Sequence, residues 1–291
     1  MPTTRPASGT LLGALPERDT DQASSGLAAR PDIALPRISE WVLRWFTWYS
    51  RRYVRRHFHS LRISCAGLPS DVRGLPLVIY SNHAAWWDPL VFLLLKAEFF
   101  AGRKAYAPMD AAMLQRYGLF RRLGFFGVET GSRKGAVTFL RTSETILQAD
   151  DSLLVVTPQS RFADVRERPI RFAPGLGHLA ARLPRAVFLP VVVEYAFWEE
   201  RLPEILVRFG KPVHVDAAAS PALTPEGWTR KLEQELEAIQ NALAAEAVAR
   251  DAGQFLTLLR GGAGQGGVYE AWQRFSAKLR GRSYRPEHGR K

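Results

Sequence analysis

Short, continuously apolar runs alternate with longer stretches of helical periodicity through the middle of the chain. The runs at 75–80, 153–156 and 187–194 are typical of parallel strands, because a strand covered on both faces is apolar at every position. The stretches at 89–99 and 134–148 are long enough for helices. Strands that alternate with helices predict an α/β fold, a mostly parallel sheet flanked by helices. Further strands are predicted at 104–107, 125–128 and 205–209, and further helices at 111–122 and 177–183.

The segment 36–60 combines aromatic and basic residues and predicts an N-terminal amphipathic helix. Its apolar positions recur at helical spacing: Ile38, Trp41, Val42, Trp45, Phe46, Tyr49 and Tyr53. Arginines crowd the same segment: Arg44, Arg51, Arg52, Arg55 and Arg56. Aromatic rings flanked by arginines are typical of a helix that lies in a membrane interface. The alternative is a helix that packs on the neighbouring domain and leaves its arginines solvated.

Composition divides the rest of the chain. Residues 1–35 are rich in Ser, Thr, Ala, Pro and Gly and predict a disordered arm. Residues 61–250 form the predicted globular domain, whose last helix starts at Thr224-Pro225. Residues 251–291 hold a Gly-rich linker and a second basic amphipathic helix, with apolar positions between Val268 and Leu279. This C-terminal helix is expected either to touch a membrane or to fold only on a partner.

The net positive charge of the chain indicates anionic binding partners. The chain of 291 residues has 40 basic and 28 acidic residues, a formal net charge of +12. This excess favours a membrane lipid surface, nucleic acid or an acidic carrier protein, unless it is only a solvated surface. The one cysteine, Cys65, excludes an intramolecular disulfide. No apolar run is long enough for a membrane-spanning helix. The N-terminus lacks the basic-then-apolar arrangement of a secretory signal.

Candidate chemistry lies in the turn between the strand at 75–80 and the helix at 89–99. His83 and Asp88 both fall in this turn. A histidine can take a proton from a hydroxyl, and a neighbouring carboxylate can orient its ring. Because the sequence contains no obvious serine or cysteine elbow for this pair to serve, the hydroxyl is expected to belong to a substrate. The structural interpretation, which can hold together with the first, is that Asp88 is the N-cap of the following helix and Pro89 its first helical position.

Four blocks of residues follow one another in an order that resembles the phospholipid/glycerol acyltransferase superfamily, which includes the lysophosphatidate acyltransferases. The first block is Asn-His-x-x-x-x-Asp at 82–88, and the second is 124–130. The third block, 155–161, is similar to Phe-Pro-Glu-Gly-Thr-Arg, and the fourth is the proline-containing run 188–191. The resemblance covers about 77–195 and implies a glycerol-phosphate acyltransferase-like fold.

The second and third blocks depart from the family pattern. Thr130 stands where an arginine is usual, although Arg133 follows closely. Gln159 replaces the glutamate, Ser160 replaces the glycine, and Arg161 comes one residue early. The resemblance implies that Arg133, Gln159, Ser160 and Arg161 bind the acceptor. The departures put a phosphate-bearing acceptor in doubt more than acyl transfer itself.

The resemblance also implies an O-acyltransferase. His83 would act as general base and Asp88 would orient it, while an acyl group passes from acyl-CoA or acyl-carrier protein to a hydroxyl of a lysophospholipid or related lipid. The thioester is a co-substrate, and no bound cofactor or metal is expected. The implied location is cytoplasmic, peripheral on the inner face of the cell membrane. Two alternatives remain: a catalytically silent lipid-binding protein, and an acyltransferase for a non-phosphate acceptor such as a glycolipid or amino-acid lipid.

The residues also allow two further classes of protein. A nucleic-acid-binding protein would account for the charge, but no binding motif with the expected spacing is present. A metal hydrolase would need His83, Asp88 and Glu129, and the sequence lacks paired-histidine spacing. His83, Glu129 and Gln159 each fall at or just after the predicted carboxyl end of a strand, where α/β sheets bind ligands. They are therefore predicted to share one site.

Overall fold

The computed structural model describes residues 33–69, 72, 74–217 and 223–262. The arm predicted at 1–35 lies almost wholly outside these residues, and so does the C-terminal helix predicted between Val268 and Leu279. The helices are α1 (Glu40–His57), α2 (Asp88–Phe99), α3 (Ala111–Arg116), α4 (Arg133–Ile146), α5 (Gly175–Arg182) and α6 (Pro225–Ala249). The strands are β1 (Ser60–Ser64), β2 (Leu77–Ser81), β3 (Lys104–Asp110), β4 (Phe125–Val128), β5 (Ser152–Val156), β6 (Arg185–Ala196), β7 (Glu204–Phe209), β8 (Val213–Asp216) and β9 (Phe255–Arg260).

The strands form one mixed sheet in the order β4-β3-β5-β2-β6-β7-β1-β9, and β8 pairs with the first half of β6. The pairs from β4 to β6 are parallel, and so is β1 with β7. The β6–β7, β6–β8 and β1–β9 pairs are antiparallel. The predicted α/β fold with a mostly parallel sheet is confirmed.

The sheet separates two apolar cores. Side chains of a strand alternate between its faces, so β2 contributes Val78 and Tyr80 to one core and Leu77 and Ile79 to the other. Helices α5 and α6 cover the first core, and α1 and α2 cover the second. Burial on both faces is why the central strands are continuously apolar in sequence.

Most central elements lie where the periodicity predicts them, and the helix predicted at 111–122 is an exception. It ends at Arg116, and a tighter 3-10 turn follows from Gly118 to Leu123. Gly124 closes this turn with a φ of 96°, and a Cβ there would lie 2.2 Å from the Ala105 carbonyl oxygen. The close approach of β3 therefore requires a glycine at this position.

β1, β8 and β9 are absent from the sequence-based prediction. β1 is short and carries Arg62 at its centre. A charged residue at that place is typical of a surface segment, so the sequence does not indicate a buried strand. The structure buries this arginine beside Glu204, with Nε 3.2 Å from Oε2. β9 pairs antiparallel with β1, so the sheet extends past the predicted domain end at 250.

Two observations concern the predicted membrane contacts. The helix predicted within 36–60 is α1, whose buried positions are Val42, Ser50 and Val54. Within the described part of the chain, none of the helices has the length and apolar character needed to cross a membrane.

Candidate functional site

The candidate site lies at the carboxyl edge of two adjacent parallel strands. β2 and β5 pair in parallel, with Tyr80 opposite Val156, so the segments that follow them leave the sheet side by side. The backbone N–H of His83 lies 3.3 Å from Gln159 Oε1, and the Ala163 N–H donates to the His83 carbonyl at 2.9 Å. The first and third sequence blocks are therefore joined directly.

His83 and Asp88 form a close pair. The His83 Nδ1 atom lies 2.7 Å from Asp88 Oδ2, and Asp88 is 1% exposed. Because a carboxylate only accepts hydrogen bonds, the neutral imidazole that fits this contact has its proton on Nδ1 and its lone pair on Nε2. In the described part of the chain Nε2 has no hydrogen-bond partner, and the ring is only partly buried. This tautomer leaves a base that faces outward.

The helix-capping interpretation of Asp88 is wrong. Asp88 is the first residue of α2, Trp87 occupies the N-cap position, and no side chain caps the helix. The Asp88 carboxylate instead points back to the turn, where Oδ2 also accepts from the Ala85 N–H at 3.1 Å. The carboxylate is used for the histidine and its turn rather than for the helix.

Asn82 joins the turn to the neighbouring strand β6. Its Nδ2 donates to the Val193 carbonyl at 2.9 Å, and its Oδ1 accepts from the Val193 N–H at 3.0 Å. Asn82 is 2% exposed. The side chain extends the β2–β6 pairing beyond Ser81 and holds His83 at the sheet edge.

Tyr195 completes the surroundings of the carboxylate and was not predicted as a site residue. Its hydroxyl donates to Asp88 Oδ1 at 2.7 Å, although 107 residues separate the two. Burial, the charge of Asp88 and this hydrogen bond all raise the pKa of Tyr195, so the phenol stays protonated. The alternation of Val191, Val193 and Tyr195 was the available signal, because it places all three on one face of the strand.

Aromatic rings surround the pair. The Phe162 ring lies 4.2 Å from the His83 ring, centroid to centroid, and is largely exposed. The Trp87 ring contacts that of Tyr195, and Trp87 Nε1 donates to the Tyr53 hydroxyl of α1 at 3.1 Å. The pair therefore lies between an apolar wall and an outward-facing ring.

Gln159, Ser160 and Arg161 follow β5 beside His83. Ser160 has a φ of 54°, a left-handed conformation that favours glycine, the residue usual there in the family. The exposed Arg161 guanidinium forms an ion pair with Glu167, which raises the pKa of Arg161. The third block thus keeps the backbone turn while its arginine is already paired.

The second block lies farther from His83. Arg133 is exposed at the first position of α4, and Glu129 is exposed just after β4. β3 and β5 separate β4 from β2, a lateral distance of roughly 14 Å. Thr130 donates to Asp110 at 3.0 Å. The structure therefore brings His83 and Gln159 into contact, while strand order places Glu129 three strands away from β2. That all three share one site stays a prediction.

The metal-hydrolase alternative finds no support in this geometry. Among the described residues, no three His, Cys, Asp or Glu side chains come close enough together to hold a metal ion. Both oxygens of Asp88 are occupied by protein donors, and Glu129 lies apart. The His83–Asp88 pair has the arrangement of a general base and its orienting carboxylate.

The fold and this pair define a class of protein: an α/β protein with a hydrogen-bonded His–Asp pair at the carboxyl edge of its sheet. The comparisons with known proteins indicate a family. Residues 62–194 match the family model described as Acyltransferase. This span contains all four sequence blocks. The match covers 133 of the 291 residues and supports the phospholipid/glycerol acyltransferase superfamily and acyl transfer to a lipid.

A solved structure shares the fold. It is the 1-acyl-sn-glycerophosphate (LPA) acyltransferase PlsC from Thermotoga maritima, with a TM-score of 0.50 and 14% sequence identity. The similarity covers 70% of this chain and 80% of the PlsC chain. At this identity the likeness supports the fold rather than the substrates. A comparison of the sequence with curated proteins found no match.

Proposed function

We propose that this protein is an O-acyltransferase that moves a fatty acyl group from an acyl thioester to the hydroxyl of a lipid acceptor. The observation that carries the proposal is the His83–Asp88 pair, joined at 2.7 Å, with Nε2 unpaired among the described residues. The donor is acyl-CoA or acyl-carrier protein. The acceptor is a lysophospholipid or a related lipid.

The proposed chemistry is direct transfer without an acyl-enzyme. His83 Nε2 takes the proton of the acceptor hydroxyl while the oxygen attacks the thioester carbonyl. Asp88 stabilises the imidazolium that forms. The tetrahedral intermediate then collapses to the ester, and the departing thiolate takes the proton from His83. The N-terminus of α2 lies beside the pair, and its partial positive charge favours the oxyanion.

The polar environment supports a choice of acceptor head group. Gln159 is the polar side chain that contacts the His83 backbone, while Arg161 is held by Glu167 and Arg133 lies near β4. A glutamine offers both donors and an acceptor to a neutral head group. Ser160 continues the same turn. A non-phosphate acceptor, such as a glycolipid or amino-acid lipid, is therefore the second candidate.

We further propose that α1 lies on a membrane, at the inner face of the cell membrane, where cytoplasmic thioesters are available. Trp41 is 74% exposed and Trp48 is 59% exposed. Exposed arginines surround a surface depression beside Trp48: Arg51, Arg52, Arg55 and Arg56. Guanidinium groups bind lipid phosphates while indole rings lie at the headgroup level. The hydrogen bond between Trp87 and Tyr53 joins this helix to the catalytic turn.

The test is thiol release from acyl-CoA and acyl-carrier protein, each with a panel of phosphate-bearing and neutral lipid acceptors. We expect acceptor-dependent release that falls by about a thousandfold or more in His83→Ala and in Asp88→Ala. His214→Ala is the matched control, because His214 is exposed on β8.

Each other outcome identifies an alternative. Release with neutral acceptors but not with lysophospholipids selects the non-phosphate acceptor. No release from any pair, with vesicle binding equal in wild type and His83→Ala, selects the catalytically silent lipid-binding protein.

A further inference from the structure

The Asp88 carboxylate is anchored at both oxygens. Oδ2 accepts from His83 Nδ1 and the Ala85 N–H, and Oδ1 accepts from the Tyr195 hydroxyl at 2.7 Å. The first two donors belong to the same turn as the carboxylate. Tyr195 lies near the carboxyl end of β6. Its hydroxyl therefore connects the Asp88 carboxylate to a different element of the fold.

The position of Tyr195 is set by packing as well as by its hydroxyl. Its ring centroid lies 5.6 Å from that of Trp87 and 5.8 Å from that of Phe58. The backbone nearby is held by the two hydrogen bonds between Asn82 and Val193. The hydroxyl is therefore presented by a rigid strand and not by a mobile loop.

We propose that Tyr195 is a positioning residue for acyl transfer, whose hydroxyl fixes the rotation of the Asp88 carboxylate and limits the negative charge that Asp88 offers to His83. The inference rests on the proposed function of the His83–Asp88 pair. Without the hydroxyl, Oδ1 would be buried and unpaired, and the carboxylate would no longer hold the His83 ring in one orientation. Without the hydrogen bond from the phenol, more of the negative charge of Asp88 would be available to His83. The carboxylate would then stabilise the imidazolium more strongly than in the wild type.

The groups that face His83 allow the effect of the Asp88 charge on this histidine to be measured. Asp88 on α2 and, through it, Tyr195 on β6 are the titratable groups that the described contacts place on the ring. The segment after β5 contributes the neutral Gln159 and Phe162. Arg161 in the same segment is paired with Glu167. A change at Tyr195 thus reaches the histidine through one carboxylate.

The experiment is Tyr195→Phe in the full-length protein, which keeps the ring and removes only the hydroxyl. We expect kcat to fall about tenfold to a hundredfold, as for loss of a hydrogen bond to a charged group, while KM changes less than about twofold. We also expect the acid limb of the pH profile of kcat/KM to move to higher pH, because His83 becomes more basic.

Tyr80→Phe is the matched control. Tyr80 is fully buried on β2, and its hydroxyl has no hydrogen-bond partner among the described residues. This variant removes a buried hydroxyl one strand away without touching Asp88, so its kcat and pH profile are expected to match the wild type. A merely structural role of Tyr195 would lower thermal stability and leave the acid limb in place, which would overturn the proposal.

An NMR titration of ¹⁵N-labelled histidine separates this inference from the proposed function, since it needs no substrate. The His83 pKa is expected to rise in Tyr195→Phe even if no acyl transfer is found. Where Tyr195→Phe fails to fold, 3-fluorotyrosine at position 195 takes its place. The fluorinated phenol is the stronger donor, so the His83 pKa is then expected to fall. An unchanged or oppositely shifted His83 pKa in the variant used overturns the inference.

Discussion

At the scale of the residue, polar side chains at the sheet edge substitute for backbone pairing. Asn82 satisfies both the N–H and the carbonyl of Val193 beyond the point where β2 ends. Val193 is fully buried, so water cannot replace these bonds. One carboxamide therefore both stabilises the strand and sets the direction in which the next residue, His83, leaves the sheet.

We expect Asn82→Ala to lower the free energy of unfolding by about 2–4 kcal/mol, because two buried backbone groups lose their partners. Urea denaturation measures this difference. Asn241→Ala is the control, since Asn241 is exposed and accepts from Arg168 at the surface. An Asn82→Ala midpoint as close to wild type as that of the control would show that β6 does not depend on the carboxamide.

At the scale of the element, the β1–β7 pair is built around a buried carboxylate. Glu204 Oε1 lies 2.6 Å from His59 Nδ1, and its Oε2 accepts from Ser60 and from Arg62. Burial alone would raise the pKa of Glu204, but the bonds from His59 and Ser60 and the charge of Arg62 outweigh it and lower this pKa. An arginine can therefore lie inside the sheet.

The lowered pKa of Glu204 predicts acid sensitivity. The stabilisation that this carboxylate contributes is complete above its unfolded-state pKa and is lost as the pH falls through the lower folded-state value. We expect the unfolding free energy of the wild type to decline below about pH 4.3, and more steeply than that of Glu204→Gln, which is also less stable at neutral pH. Glu199→Gln, at an exposed position, should keep the wild-type slope. Parallel acid profiles for Glu204→Gln and wild type would refute this role.

At the scale of the whole molecule, exposed tryptophans and exposed arginines share one helix, α1. The net charge is +12, and α1 presents its tryptophans and arginines on the sheet face opposite α5 and α6. The same helix contacts the turn that carries His83 and Asp88. A membrane bound to α1 would therefore lie next to the candidate site, where a lipid acceptor must arrive.

We expect binding to anionic vesicles to exceed binding to zwitterionic vesicles and to weaken as salt is raised. Trp41→Ala combined with Trp48→Ala should weaken it by about tenfold or more, since each indole buries a large apolar area in the interface. Val248→Ala on α6 is the control, because Val248 is 81% exposed on the other side of the sheet. Vesicle sedimentation measures all three proteins. Salt-dependent DNA retention without vesicle binding would favour the nucleic-acid alternative instead.

Local patterns predicted much of this molecule. Apolar runs and helical spacing between 75 and 209 placed most central strands and helices, and the block at 82–88 singled out His83 and Asp88. These predictions succeed because burial on a strand or a helix face repeats every two to four residues. A pattern that repeats over so few residues can be recognised within a short segment of the sequence.

Only the tertiary structure decided which distant groups meet. Arg62 looks like a surface residue until β7 brings Glu204 beside it, and Tyr195 gives no sign of Asp88 until β6 lies next to β2. Glu129 and Gln159 have the same place after a strand, yet sheet order puts only Gln159 beside His83. The sequence by itself determined most of the central elements and the candidate histidine. The order of strands, which no local periodicity encodes, determined the partners that orient it.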